Sequence, residues 1–172
     1  MKTTAVVGIV LGSVLLQVLL AQFAIGGRLS FDLVLVGVVF VALQSGPVAG
    51  MLAGTIGGVM LDLMSGGLVG VGGLLKTIVG FAAGLMGTRL VVAKPYARAL
   101  IVAAATLLHS LMSLGLQAAI DKWSGIAWTA MLGETAINAV AAYLAFLTIE
   151  ALPGAMSRGR TRQRSAWGRR QW

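Results

Sequence analysis

The chain has 172 residues, of which 58% are hydrophobic and only 10% are charged, and its mean hydropathy is +0.95. A soluble domain carries roughly a quarter charged residues, so 13 basic and five acidic side chains cannot cover a water-facing domain of this length. The absence of cysteine excludes disulfides, thiolate metal sites and cysteine catalysis. The composition therefore predicts an all-α integral membrane protein with one membrane domain.

Six apolar segments follow one another along the chain, separated by short breaks that are rich in glycine, proline or charge. About 20 apolar helical residues cross a hydrocarbon core of ~30 Å. We therefore predict a bundle of six transmembrane helices over Thr4–Ile25, Ser30–Leu43, Val48–Met64, Leu74–Val92, Ala97–Ile120 and Trp128–Leu152. The second and third segments are short, so a re-entrant hairpin is the alternative for that pair. Residues 1–157 form the predicted membrane domain, and residues 158–172 form a basic tail without regular structure.

The positions of the basic residues predict the orientation in the membrane. With both termini in the cytoplasm, ten basic residues lie on that side and two, Arg28 and Lys122, lie on the other. Six of the ten belong to the tail, namely Arg158, Arg160, Arg162, Arg164, Arg169 and Arg170. The net charge of +8 is thus concentrated in a segment that we expect to contact anionic lipid rather than nucleic acid.

Glycine recurs at every fourth position along the third segment and again in the fourth. Helices associate in lipid where small residues allow their backbones to approach closely. Such contacts within the bundle, or with a helix of a partner protein, are the two interpretations of these residues. The predicted packing residues, with the proline that begins the third helix, are Gly46, Pro47, Gly50, Gly54, Gly58, Gly80 and Gly84.

Ionisable side chains inside the membrane are costly unless they are paired or hydrated. Asp62 and Lys76 flank the glycine-rich loop at residues 65–73, and we predict that they form an ion pair across it. His109, Ser113 and Gln117 follow one another at intervals of four residues on the fifth helix, and therefore share one of its faces.

Glu134 and Asn138 form a similar pair on the sixth helix. Counted from the outer ends of the antiparallel helices, Glu134 falls near the depth of Gln117 and Asn138 near that of Ser113. We predict that the two polar faces hydrogen-bond to each other. The alternative is an outward-facing pocket that these residues line together with Asp62 and Lys76.

The sequence contains no recognisable catalytic motif. A lone histidine and a distant glutamate do not supply the three or four ligands of a zinc site, and no P-loop, nucleophile elbow or Ser/His/Asp spacing is present. We therefore predict neither an enzyme nor a bound metal or cofactor.

One family resemblance covers nearly the whole chain. Residues 31–47 carry Phe-Asp before an apolar run that ends in Gly46-Pro47, and a glycine-striped helix then ends in Leu-Asp-Leu-x-Ser-Gly-Gly at residues 61–67. The sequence continues with Leu-Leu-Lys at 74–76 and Gly-Phe-Ala-Ala-Gly at 80–84. This pattern, the length and the short loops resemble MreD, a rod shape-determining membrane protein of bacteria.

The resemblance implies a non-enzymatic scaffold of the cell-elongation complex in the bacterial cytoplasmic membrane. The family is associated with MreC and, through it, with RodA, a penicillin-binding transpeptidase and MreB, which together organise peptidoglycan synthesis and rod shape. It also implies a fold similar to the substrate-binding subunits of energy-coupling-factor transporters. A vitamin-type transport subunit is accordingly the alternative function. An ion channel is a third option, which is disfavoured because it needs a polar path through the membrane and span five is apolar between His109 and Arg98 apart from Thr106.

Overall fold

Six α-helices make up the part of the chain that the computed structural model describes, which comprises residues 3–23, 31–66, 69–89, 95–119 and 128–151. They are α1 (Thr3–Phe23), α2 (Leu33–Ser45), α3 (Pro47–Ser65), α4 (Val71–Arg89), α5 (Pro95–Ala119) and α6 (Trp128–Ala151). The predicted all-helical class and helix order are confirmed. The predicted basic tail, residues 158–172, lies outside the described residues.

Five of these helices are long and apolar enough to cross a membrane, and α2 is the exception. It has 13 residues, which at 1.5 Å each give a length of about 20 Å. A hydrocarbon core is about 30 Å thick. The prediction of six full transmembrane spans was therefore wrong for the second segment, whereas α3, with 19 residues, is long enough.

Helices α2 and α3 form a hairpin with a single residue between them. Gly46 has a φ of +92° and donates its backbone N–H to the carbonyl of Ala42 at 2.9 Å. A side chain at this φ would be strained, which explains the glycine. Pro47 follows at the first position of α3, where its missing N–H has no helical partner to lose. The predicted start of the third helix at this proline is confirmed.

Helix α2 lies at the centre of the bundle and packs against all five other helices. One of its sides contributes to a cluster with α1 and α3, and another contributes to a cluster with α4, α5 and α6. Its sequence is apolar all round, as expected of a helix that is mostly buried. The fully buried residues of α2 are Val34, Leu35, Val38, Val39, Val41 and Ala42.

Neighbouring helices along the chain run in opposite directions, so the described helix ends collect at two ends of the bundle. Arg89 ends α4 and Arg98 lies in the first turn of α5, and we call this the basic end. The outer surfaces of the helices carry large apolar side chains, such as Leu15, Leu52 and Leu100, each more than half exposed. Such a surface suits lipid rather than water, and the chain is a multi-pass membrane protein.

Candidate functional site

A buried ion pair between α2 and α4 lies inside the membrane domain. The Nζ atom of Lys76 is 2.7 Å from Oδ2 of Asp32, and both side chains are less than one-tenth exposed. The other carboxylate oxygen of Asp32 accepts the backbone N–H of Leu35 at 2.8 Å, so the same residue caps the N-terminus of α2. Each charge thus has a partner, which is the condition for placing either in lipid.

Asn138 of α6 joins this ion pair to the opposite wall of the bundle. Its Oδ1 accepts the backbone N–H of Asp32 at 3.0 Å, and its Nδ2 donates to Oγ1 of Thr106 at 3.4 Å. Asn138 and Thr106 are both fully buried. Asn138 lies ten residues after Trp128, about 15 Å along α6 from its start. The N-terminus of α2 therefore begins deep in the bundle and not at a membrane surface.

A helix that begins inside a membrane must satisfy backbone N–H groups that water cannot reach. Gln17 of α1 accepts the N–H of Val34 at 2.9 Å, which adds to the contributions of Asp32 and Asn138. Helices α1 and α6 and the N-cap residue itself therefore supply the acceptors for the N–H groups at the start of α2. We call Gln17, Asp32, Lys76, Thr106 and Asn138 the polar centre.

The predicted ion pair between Lys76 and Asp62 is not formed. Asp62 instead accepts the backbone N–H groups of Gly70 and Gly73 with Oδ2, at 2.9 and 3.2 Å. Helix α4 begins at Val71, three residues earlier than predicted, so the loop is shorter and the carboxylate meets the free N–H groups of the helix start. Anionic side chains are favoured at that end of a helix.

The predicted contact between the polar faces of α5 and α6 forms in a different register. Asn138 contacts Thr106 and does not lie at the depth of Ser113. Thr106 is about two helical turns nearer to the basic end than Ser113. Glu134 lies beside Ser110 in the same way. Gln117 donates to Ser113 of its own helix at 3.1 Å. The prediction assumed that the outer ends of α5 and α6 lie at the same depth. In the structure, Asn138 of α6 lies at the depth of the N-terminus of α2.

His109 and Glu134 lie near the ion pair without joining it. Both lie close enough to Asp32 and Lys76 for those charges to act on them. The Nε2 atom of His109 is buried and has no hydrogen-bond partner among the described residues. Of the residues predicted to line a pocket, the structure brings Lys76, Asn138, His109 and Glu134 together, while Gln117 is exposed near the end of α5.

Asp32, Gln17 and Thr106 are the members of the polar centre that the sequence prediction of the site missed. A signal for Asp32 was present, because an acid directly before an apolar run is typical of a helix N-cap. Gln17 carried no such signal. It lies in a long apolar segment, and only the packing of α1 beside α2 explains its role.

The glycine stripe of α3 faces α4. A Cβ atom on Gly50 would overlap the carbonyl of Gly80, and one on Gly54 would overlap the carbonyl of Lys76. The same contact continues through Gly58, which meets the start of α4, and through Gly84, which meets Pro47. The predicted packing residues of both helices therefore meet each other inside the bundle.

The neighbouring stripe of α3 faces the opposite way and is also covered. Ala53 is buried in the cluster formed with α1 and α2, and a Cβ on Gly57 would press on Val34 and Val10. The exposed face of α3 carries Val48, Leu52 and Ile56 instead. Neither small-residue stripe of α3 is thus open to another protein.

The described residues contain no group of three or more histidine, aspartate and glutamate side chains that could hold a metal ion. The carboxylates of Asp32 and Asp62 are both engaged by structural partners. What the geometry defines is a helical membrane protein whose buried polar residues connect its own helices.

The comparison with protein families gives this class a name. The family model described as "rod shape-determining protein MreD" matches residues 2–153. This is most of the chain, so the protein belongs to the MreD family. No curated protein sequence and no solved structure matches it. The similarity of the fold to substrate-binding subunits of energy-coupling-factor transporters therefore stays a prediction.

Proposed function

We propose that this chain is a non-enzymatic scaffold of the bacterial cell-elongation complex, which binds the transmembrane helix of MreC and helps to organise peptidoglycan synthesis. The observation that carries the proposal is the match of the rod shape-determining family over residues 2–153. Through MreC the scaffold would connect to RodA, to a penicillin-binding transpeptidase and to MreB. Its place is the cytoplasmic membrane, with both termini and the basic tail in the cytoplasm.

Two features of the described residues support a scaffold. The ion pair and hydrogen bonds of the polar centre use its side chains for contacts between helices, which a rigid support requires. Two grooves between the described helices are lined almost wholly by apolar side chains. An apolar lining fits a membrane-embedded partner better than a polar metabolite, whose site needs convergent polar groups.

The experiment is a replacement in the native bacterium. The chromosomal copy is depleted while a tagged copy is expressed, and cell shape and co-purified proteins are recorded after crosslinking. We expect round cells on depletion, rods on complementation, and MreC with wall synthases in the purified fraction. Normal rods on depletion, or recovery of an ATPase coupling module without MreC or wall synthases, would overturn the proposal.

A further inference from the structure

The bundle is a ring of helices around α2, and the ring has one gap. Among the described helices, α1 contacts α3, α3 contacts α4, α4 contacts α5, and α5 contacts α6, while α2 contacts all five. Helices α1 and α6 do not contact each other. Helices that pack at axial distances of 8–10 Å leave room for about six neighbours around one. The sixth position around α2 is therefore open between α1 and α6.

A groove of about 280 Å³ lies at that open position. Helix α2 forms its floor, and α1 and α6 form its walls. Its lining includes Ile9, Gly12, Leu16, Gly37, Phe40 and Ala145. The groove between α4 and α5 is smaller, about 90 Å³, and lies between helices that already contact each other. Only the first groove corresponds to a missing neighbour of α2.

Small residues line this groove on both of its walls, Gly12 on α1 and Ala145 on α6. Gly8 and Gly12 are four residues apart on α1, and a Cβ on either would meet nothing within 4 Å. Ala141 and Ala145 have the same spacing on α6, and Ala145 is exposed. Unlike the glycines of α3 and α4, Gly8 and Gly12 serve no contact inside the bundle.

We propose that the groove, which we call the α1–α6 groove, receives one transmembrane helix of a partner protein. Glycine within a helix is less stable than alanine, and lipid chains gain nothing from it. A helix backbone does gain, because it can approach closely only where side chains are small. The partner helix therefore has a face of small apolar residues, and it would complete the ring of helices around α2.

This inference rests on the proposed function, which supplies the partner as the transmembrane helix of MreC, and it adds the surface where that helix binds. Because the chain has no cysteine, a single introduced cysteine is the only residue of this chain that can form a disulfide crosslink. Leu16 lines the groove and is 49% exposed, whereas Leu15, its neighbour, is 58% exposed and does not line it. The two positions differ in direction but hardly in depth.

The first test combines Leu16→Cys or Leu15→Cys with a cysteine series along the transmembrane helix of MreC, co-expressed in one membrane and oxidised. We expect disulfide-linked heterodimers with Leu16→Cys, recurring about every 3.6 residues along MreC, and none above background with Leu15→Cys. Equal crosslinking of the two variants, or crosslinking of Leu15→Cys alone, would contradict the proposal. A Leu16→Cys homodimer that persists when MreC is present would place a second copy there and overturn it.

The second test fills the groove. Gly12→Leu is compared with Gly115→Leu on α5, because a Cβ at either glycine meets nothing within 4 Å. We expect both variants to accumulate and melt like the parent chain, and only Gly12→Leu to lower the recovery of MreC, by about tenfold or more, the change expected from ~1.4 kcal/mol. If Gly12→Leu fails to accumulate, the cysteine pair still decides.

The outcomes separate this inference from the function on which it rests. Loss of MreC with Gly12→Leu alone supports both. Full recovery of MreC with Gly12→Leu overturns the proposal that MreC binds in the groove, while the scaffold function stands. This holds also where the variant loses a bound lipid instead. Failure of the parent chain to recover any MreC overturns the proposed function itself.

Discussion

The ammonium group of Lys76 on α4 lies 2.7 Å from the carboxylate of Asp32 at the N-terminus of α2, and both are buried. This contact holds together two helices that are parallel and far apart in sequence. It also explains how α2 can start inside the membrane, since the acid that caps the helix is itself neutralised by a cation. The polar residues of the bundle centre are thus organised by α2.

Removing one partner of this ion pair should destabilise the protein more than removing both. Asp32→Asn or Lys76→Met leaves an unpaired charge in a buried site, which typically costs about 3–5 kcal/mol. The double variant leaves no charge. We expect each single variant to melt well below the parent chain in detergent, and the double variant to melt above both. Melting temperatures from the loss of the monodisperse size-exclusion peak provide the measurement.

The same measurement distinguishes the observed ion pair from the one that the sequence predicted. Residues in contact show coupled effects, whereas independent residues show additive ones. We expect Asp62→Asn and Lys76→Met to be additive, because Asp62 binds the N–H groups of Gly70 and Gly73. Strong coupling between Asp62 and Lys76, with none between Asp32 and Lys76, would contradict the described pairing.

Asp62→Ala should have a moderate effect of its own. It removes the acceptor of two N–H groups at the start of α4, and loss of such a cap typically costs about 0.5–2 kcal/mol. Asp62→Asn keeps one acceptor oxygen and should recover part of the loss. The comparison of the two melting temperatures with that of the parent chain tests the cap. A melting temperature of Asp62→Ala equal to the parent's would argue against it.

Most of the helices could be predicted because membrane helices leave strong local signals. The runs that became α1, α5 and α6 are long and apolar, and the predicted ends of α6 agree with the structure to one residue. Gly46-Pro47 indicated the turn between α2 and α3, because the backbone preferences of glycine and proline can be recognised from the sequence alone.

The depth of each helix could not be predicted in the same way. An apolar run has the same composition wherever it begins in the bundle, so the sequence did not indicate that Asp32 lies at the level of Asn138. Two errors at the polar centre follow from this. Lys76 was assigned to the nearer acid, and Asn138 was placed at the depth of Ser113. Contacts among three or four helices depend on relative depth, which local patterns do not encode.

The glycine contact between α3 and α4 should not tolerate a methyl group. Gly54→Ala places a Cβ on the backbone carbonyl of Lys76, which cannot move away as a flexible side chain could. Overpacking of this kind typically costs about 1–3 kcal/mol. Gly133→Ala on α6 is the matched control, because its Cβ meets nothing within 4 Å, and alanine favours a helix. We expect a lower melting temperature for the first variant and an unchanged or higher one for the second.

Asn138 should be the most sensitive uncharged position of the polar centre, because it is the residue that α6 contributes to the N-terminus of α2. Asn138→Leu leaves the buried N–H of Asp32 without an acceptor, at a typical cost of about 1–3 kcal/mol. Thr106→Val is the companion variant. Its hydroxyl accepts only a long bond of 3.4 Å from Asn138 and donates to the carbonyl of Val102 in its own helix. We therefore expect a smaller fall in melting temperature for Thr106→Val than for Asn138→Leu. The reverse order would contradict the hydrogen bond from the N–H of Asp32 to Asn138, and would mean that the start of α2 finds its acceptor elsewhere.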